Sequence, residues 1–213
     1  MSWKKRLLQS FKLYAITDLK SDDPAFLRQI DEALLGGADV IQLRSKSLKD
    51  RELLKLGGLI RKITEKRKKL FIVNDRIDIA LILKADGVHL GQDDTPMKDA
   101  LNLLKKKQMF IGKSTHSILQ AQKAEREGAD YIGFGPIFGT PTKPDYKPIG
   151  LASINRLNKI LKIPFVCIGG IDKNNIGLVV QAGAKRVAVV RAIFDAQMPR
   201  LAAKQLYERI SRV

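Results

Sequence analysis

Eight short apolar runs recur along the chain with charged, helix-patterned segments between them, and this alternation limits the fold more than any other feature. The runs are LYAIT at 13–17, DVIQLR at 39–44, LFIVND at 70–75, DGVHLG at 86–91, MFIG at 109–112, DYIGFG at 130–135, PFVCIGG at 164–170 and RVAVV at 186–190. Connecting segments such as DPAFLRQIDEALLGG and HSILQAQKAEREG place apolar residues three or four apart, the helical period. Eight units share the chain from residue 13 onward at about 25 residues each, close to the minimum for a strand, a helix and two short loops. The count selects a single-domain α/β (β/α)8 TIM barrel over 13–213, preceded by an extension over 1–12. Trp3 is expected to pack that extension against the barrel. GGAD at 36–39, EGAD at 127–130 and AGAK at 182–185 stand just before strands, where glycine lets a helix end in the left-handed conformation; they mark the bottom face.

A doubly wound sheet also alternates strands and helices. The segment after the first run, ITDLKSD, has no GxGxxG fingerprint, and GKS at 112–114 has Lys107 where a phosphate-binding Walker loop needs glycine. Both nucleotide-binding readings are set aside. The single cysteine, Cys167, excludes a disulfide framework and any multi-cysteine metal site; it reads as a buried small hydrophobe. The basic start MSWKKRLLQSFK lacks the apolar core of a signal peptide, and no apolar run has the length of a membrane span, so a cytoplasmic location is expected. A net charge of +17 biases the protein toward anions of some kind.

In a barrel, ligand chemistry gathers at the C-terminal ends of the strands. The second run ends in Gln42, Arg44 and Lys46, two apart, so an extended chain points all three one way. Arg44 can grip phosphate oxygens with a rigid fork and Lys46 as a mobile charge. The third run ends in Asn74, Asp75 and Arg76, and the fourth passes through Asp86 and His89 to Gln92, Asp93 and Asp94. Neighbouring parallel strands lie about 4.8 Å apart, so Asp75 and Asp94 can share one Mg²⁺ that completes its shell with phosphate and water. Helix capping by the same acidic residues is the competing reading. His89 reads more readily as a packed histidine, His116 either faces the pocket or caps the next helix, and Ser114 can donate to an anion. The glycine- and proline-rich stretch 133–150 offers Thr140, Thr142 and Lys143 to a phosphorylated ligand. Gly169 and Gly170, with Val190 and Arg191 on the next strand, form a candidate phosphate cradle or merely a tight turn.

The blocks YAITD, QLRSK, FIVNDRIDIA, DGVHLGQDD, GKSTHS, GADYIGFGPIFGTPTK, PFVCIGGI and AGAKRVAVVRAIF, in this order over roughly 13–205, resemble the thiamine phosphate synthase (thiamine monophosphate pyrophosphorylase) family. The resemblance implies a Mg²⁺-dependent transferase that joins 4-amino-5-hydroxymethyl-2-methylpyrimidine diphosphate to 4-methyl-5-hydroxyethylthiazole phosphate and releases pyrophosphate. It assigns Gln42, Arg44, Lys46 and Asn74 to the pyrimidine diphosphate and Asp75 and Asp94 to Mg²⁺. Ser114 falls near the leaving group, Lys143 on pyrophosphate, and Thr140 and Thr142 on the thiazole phosphate and its loop. Backbone amides at Gly170, Val190 and Arg191 match the phosphate cradle, although Arg191 departs from a serine found in several relatives. Lys143, Ser114, Arg44 and Lys46 would carry catalysis. The resemblance allows a homodimer and implies neither a nucleic-acid nor a membrane partner.

Two rivals are weighed. A thiazole tautomerase of the same fold needs no metal pair, and His116 stands where that enzyme is expected to use a histidine; the intact NDR, GQDD and TPTK segments favour the synthase. A basic RNA-binding protein accounts for the charge, but aromatics are only 6% and the basic runs EKRKK and LKKKQ fall in outer helices.

Overall fold

The structure is a computed structural model that describes residues 1–21, 23–104, 108–140 and 147–212. Eight parallel strands close into a barrel in sequential order, each paired to the next and β8 to β1. They are β1 Leu13–Ile16, β2 Val40–Leu43, β3 Leu70–Asn74, β4 Gly87–Leu90, β5 Phe110–Thr115, β6 Tyr131–Phe134, β7 Phe165–Ile168 and β8 Val187–Val189. All eight expected strands form. Around them run α2 Ala25–Leu35, α3 Asp50–Lys66, α4 Ile77–Ile82, α5 Met97–Leu104, α6 Ile118–Arg126, α7 Ile154–Ile160, α8 Ile176–Gln181, α9 Arg191–Phe194 and α10 Pro199–Ser211, after an N-terminal α1 Trp3–Ser10. Among the described residues no helix is long and apolar enough to cross a membrane.

Alternation along each strand divides the apolar residues into two cores. Leu13, Ala15, Ile41, Leu43, Phe71, Val73 and Val88 face outward and are buried under the helices. Tyr14, Ile16, Val40, Leu70, Ile72, Tyr131, Val166 and Ala188 face inward and fill the barrel. Helices α2, α6 and α8 end before Gly37, Gly128 and Gly183, all at positive φ, as the repeated bottom-face phrases predict.

The aspartates of the first two phrases, Asp39 and Asp130, and Asp86 before β4 pin neighbouring strands. Asp39 Oδ2 accepts from the Lys12 amide (2.9 Å), Asp86 Oδ2 from Phe71 (2.9 Å) and Asp130 Oδ2 from Ile111 (2.8 Å). Each aspartate precedes an even-numbered strand and satisfies an amide just before the preceding strand or at its second residue. Asp86 also pairs with Arg61 (2.8 Å) and with Lys4 of α1 (2.6 Å). This is a correction to its grouping with His89 and Asp94: Asp86 belongs to the bottom face, opposite the strand C-termini.

The N-terminal segment closes that same end. Ser2 caps α1 through its side chain, and Leu8 and Phe11 carry the contact with the barrel, whereas Trp3 is 37% exposed and does not anchor it. The Phe11 ring meets Tyr14 and Tyr131 edge-on at centroid distances of 6.0 and 6.3 Å. It is therefore the plug beneath the inner core. Phe11→Ala should destabilise the protein by about 3–5 kcal/mol, the usual cost of emptying an aromatic site, as measured by denaturant unfolding; a change below about 1 kcal/mol would show that the floor does not depend on it.

Candidate active site

A cavity of about 510 Å³ opens at the C-terminal mouth of the barrel. Gln42, Arg44, Asn74, Ser114, Thr140, Gly170, Val190 and Arg191, all expected site residues, line it together with His89, His116 and Asp172. Thr142 and Lys143 lie outside the described residues.

Lys46 does not join Gln42 and Arg44. It is exposed and absent from the cavity wall, because β2 stops at Leu43 and the chain turns at Ser45, whose Oγ accepts from the amides of Ser47 (3.2 Å) and Leu48 (3.0 Å). The two-residue spacing holds only while the chain stays extended. Asp75 and Asp94 likewise stand outside the cavity lining, beyond the ends of the adjacent strands β3 and β4.

Arg44 is buried at the mouth, and its guanidinium pairs with Asp18, which extends beyond β1. Thr17 fixes the same backbone: its Oγ1 accepts from the Arg44 amide (2.8 Å) and donates to the Arg44 carbonyl (3.0 Å). A cation with its carboxylate already in place avoids the cost of an unpaired buried charge and is presented in one orientation. The second half of the YAITD block thus orients Arg44, a role the sequence reading missed.

The turn after β3 is strained and braced. Asp75 adopts φ +59°, its amide donates to the His89 carbonyl (2.9 Å) and its Oδ2 accepts from Asn74 Nδ2 (2.6 Å). Arg76 then forks between Asp50 of α3 and Asp78 of α4 at 2.6–3.0 Å. These hydrogen bonds hold both carboxyls below the usual aspartate range. On the neighbouring strand, Asp94 Oδ2 accepts from the Gly91 amide (2.6 Å), and the Gly91 carbonyl accepts from the buried Lys113 ammonium (2.6 Å). Burial lowers the Lys113 pKa. Lys113 therefore holds the loop that carries Asp94, another contribution not read from the sequence.

His116 lines the cavity, with Nδ1 2.5 Å from the Gly135 carbonyl oxygen, while Ser117 caps α6. His89 is not an inert packed histidine. Its Nε2 lies 3.0 Å from Ser114 Oγ and its Nδ1 3.1 Å from the Tyr131 hydroxyl. Gly112 makes room for that pair, since a Cβ there would stand 2.3 Å from Tyr131 Cζ and 2.5 Å from His89 Nδ1. Cys167 is buried and its thiol pushed up to about 12, which leaves no thiolate for chemistry at neutral pH.

At the opposite wall, Gly169 and Gly170 have φ of +102° and +62°, and side chains there would collide with Pro136 and with the Gly139 carbonyl. The Ile137 and Phe138 amides donate to Ile168 and Gly169, while those of Ile149 and Gly150 donate back to Pro136 and Ile137. The base of the 133–150 stretch is thereby fixed against the end of β7. Thr140 reaches the cavity from it.

A parallel eight-stranded barrel with polar side chains converging at one mouth is a (β/α)8 protein with a candidate ligand cavity at its strand ends. The family description thiamine monophosphate synthase matches residues 13–193, and the chain belongs to that family. It is 43% identical to the thiamine-phosphate synthase of Prochlorococcus marinus (strain MIT 9313), over 97% of this chain and 59% of that protein. The thiamine-phosphate synthase of Coprothermobacter proteolyticus is 42% identical over 99% of this chain and all of its own length. A solved structure of thiamine phosphate pyrophosphorylase from Pyrococcus furiosus superposes with a TM-score of 0.88 at 37% identity, covering 97% of this chain and 98% of that one. The chain thus spans about three fifths of the first of these relatives, and the whole of the second.

The Arg76 brace gives a direct test of the turn that carries Asp75. Carbon-detected NMR titration should find Asp50 and Asp78 ionising below the ordinary aspartate pKa, and Arg76→Ala should move both upward. Because the folded values are depressed, this contribution to stability is present above the unfolded aspartate pKa and is lost as pH falls through the folded values. Two carboxyls that titrate alike in both proteins would remove the brace.

Proposed function

We propose that the protein is a thiamine phosphate synthase, joining 4-amino-5-hydroxymethyl-2-methylpyrimidine diphosphate to 4-methyl-5-hydroxyethylthiazole phosphate with release of pyrophosphate. The observation that carries this reading is the family match together with the convergence of Gln42, Arg44, Asn74, Ser114, Thr140, Gly170, Val190 and Arg191 on one cavity. The bond from the pyrimidine methylene carbon to the diphosphate oxygen breaks with its electron pair leaving on pyrophosphate. The thiazole nitrogen lone pair then forms the new carbon–nitrogen bond, and no proton has to move to the protein.

Such a reaction needs charge neutralisation and exclusion of water rather than a protein nucleophile. Arg44, oriented by Asp18, receives the diphosphate; Lys46, from the exposed loop beyond β2, and Lys143 add positive charge, and Ser114 donates to the leaving oxygens. Gln42 and Asn74 orient the pyrimidine. Thr140, Thr142 and the amides at Gly170, Val190 and Arg191 hold the thiazole phosphate.

Asp75 and Asp94 would hold Mg²⁺. Among the described residues no group of three or more His, Cys, Asp or Glu side chains could hold a metal. Asp75 and Asp94, on loops beyond the adjacent strands β3 and β4, offer the one or two carboxylates an octahedral ion takes when substrate oxygens and water complete its shell. Bound there, Mg²⁺ would supply Lewis-acid neutralisation of the departing diphosphate. The reading also places the protein in the cytoplasm, acting on small phosphates, as a monomer or homodimer.

Purified protein given both substrates and Mg²⁺ should release pyrophosphate and thiamine phosphate in equal amounts; folded protein that yields neither product would overturn the assignment. A parallel incubation with the thiazole carboxylate phosphate tests the tautomerase alternative, which His116 at the cavity wall keeps in play. Asp75→Asn and Asp94→Asn should each lose about 10²-fold or more in turnover, on the scale of losing an electrostatic contact to a developing anion, with the fold intact by circular dichroism. Lys143→Ala should slow coupling in rapid mixing while the Kd for thiazole phosphate stays within about twofold. Equal effects on both would reassign Lys143 to substrate binding.

A further inference from the structure

Beneath the cavity, five side chains from five strands form one hydrogen-bonded chain across the barrel. Gln42 Nε2 on β2 donates to the Tyr14 hydroxyl on β1 (2.8 Å), which lies 3.0 Å from the Tyr131 hydroxyl on β6. Tyr131 lies 3.1 Å from His89 Nδ1 on β4, and His89 Nε2 lies 3.0 Å from Ser114 Oγ on β5. The interior members are Tyr14, Tyr131 and His89, exposed by 2%, 0% and 9%. Gln42 and Ser114, the two ends, both line the cavity, and His89 reaches it between them.

Proton counting gives the chain a direction. Burial raises both phenol pKa values, so each tyrosine carries one proton and offers one donor. Tyr14 receives the Gln42 amide N–H, so its own proton goes to Tyr131. Tyr131 must then donate to His89 Nδ1. The imidazole therefore bears its proton on Nε2 and donates to Ser114 Oγ, leaving the serine proton for another acceptor. An imidazolium would donate at both nitrogens and leave the buried Tyr131 proton without its acceptor.

We propose that Tyr14 and Tyr131 are positioning residues that set this direction, so that the cavity presents an acceptor at β2, the Gln42 amide oxygen, and a donor at β5, the Ser114 hydroxyl. The inference deepens the synthase reading and rests on it for its ligand. The site would select a ligand with an N–H donor facing β2 and an anionic oxygen facing β5, and would align the Ser114 proton with the departing diphosphate. Inverting the chain would present the wrong group at both ends.

Gln42→Glu inverts it. A carboxylate only accepts, so Tyr14 must donate to it, Tyr131 to Tyr14, and His89 must carry its proton on Nδ1 to donate to Tyr131. Long-range proton–nitrogen correlation on histidine-labelled, ligand-free protein reads the tautomer of His89, distinguished from His116 by assignment. The unsubstituted protein should show protonated Nε2, Gln42→Glu protonated Nδ1, and Gln42→Glu with Tyr14→Phe protonated Nε2 again, because the link is cut. An unchanged tautomer in folded Gln42→Glu overturns the proposal. Should that variant fail to fold, Tyr131→Phe serves instead: removal of the Nδ1 donor should populate both tautomers, and a single unchanged tautomer overturns the proposal equally. These spectra need no turnover, so they stand apart from the success of the coupling assay. In that assay Tyr131→Phe should lower kcat about tenfold, the worth of one aligned hydrogen bond, and lose that effect in a Ser114→Ala background. Independent, multiplicative losses would mark Tyr131 as a packing residue only.

Discussion

The closed barrel turns every second side chain of eight strands into one small interior, and the rest of the structure follows from how that space is filled. Close packing leaves no slack for an unpaired polar group there. Below, Phe11, Leu8, Val40, Leu70 and Val166 fill it with apolar volume. Above, the strands deliver Gln42, Asn74, His89 and Ser114 to a cavity. Tyr14 and Tyr131 occupy the boundary, with rings in the apolar layer and hydroxyls in the polar one. Tyrosine suits that place because its body is apolar and its tip needs a partner.

The two ends of the barrel use charge differently. At the bottom, Asp39, Asp86 and Asp130 each satisfy an amide of an adjacent strand, and Lys69, Arg61 and Lys4 neutralise the first two. Those charges fix register and hold α1 in place. At the top, Asp18 orients Arg44, Arg76 braces the turn of Asp75, and Lys113 holds the Gly91 carbonyl of the loop carrying Asp94. Arg44, Asp75 and Asp94, just beyond β2, β3 and β4, thus each have a neighbour that positions them.

The repeat was legible because period-2 and period-3.6 patterns are local, and all eight strands fall where the apolar runs place them. The mouth residues were legible because polar groups at strand ends have few structural reasons to cluster. Lys46 escaped that logic, since its direction depended on whether the chain stayed extended past Leu43, and Ser45 turns it. Asp86 escaped it as well: aspartate before a strand and aspartate after a strand look alike until the barrel end is known. His89 was read as packing because one inward histidine carries no information without the identity of what faces it.

By itself the sequence determined the barrel, the eight units and most residues at its mouth, because hydrophobic period and strand-end position are properties of neighbours in the chain. Net charge pointed to anions without locating them. Only the tertiary structure decided which side chains share the interior, since Gln42, Tyr14, Tyr131, His89 and Ser114 lie on five strands and up to 117 residues apart in a single hydrogen bond. Closure brings them within 3.1 Å of one another in succession, and such proximity across a barrel follows from its strand register, which no local pattern encodes.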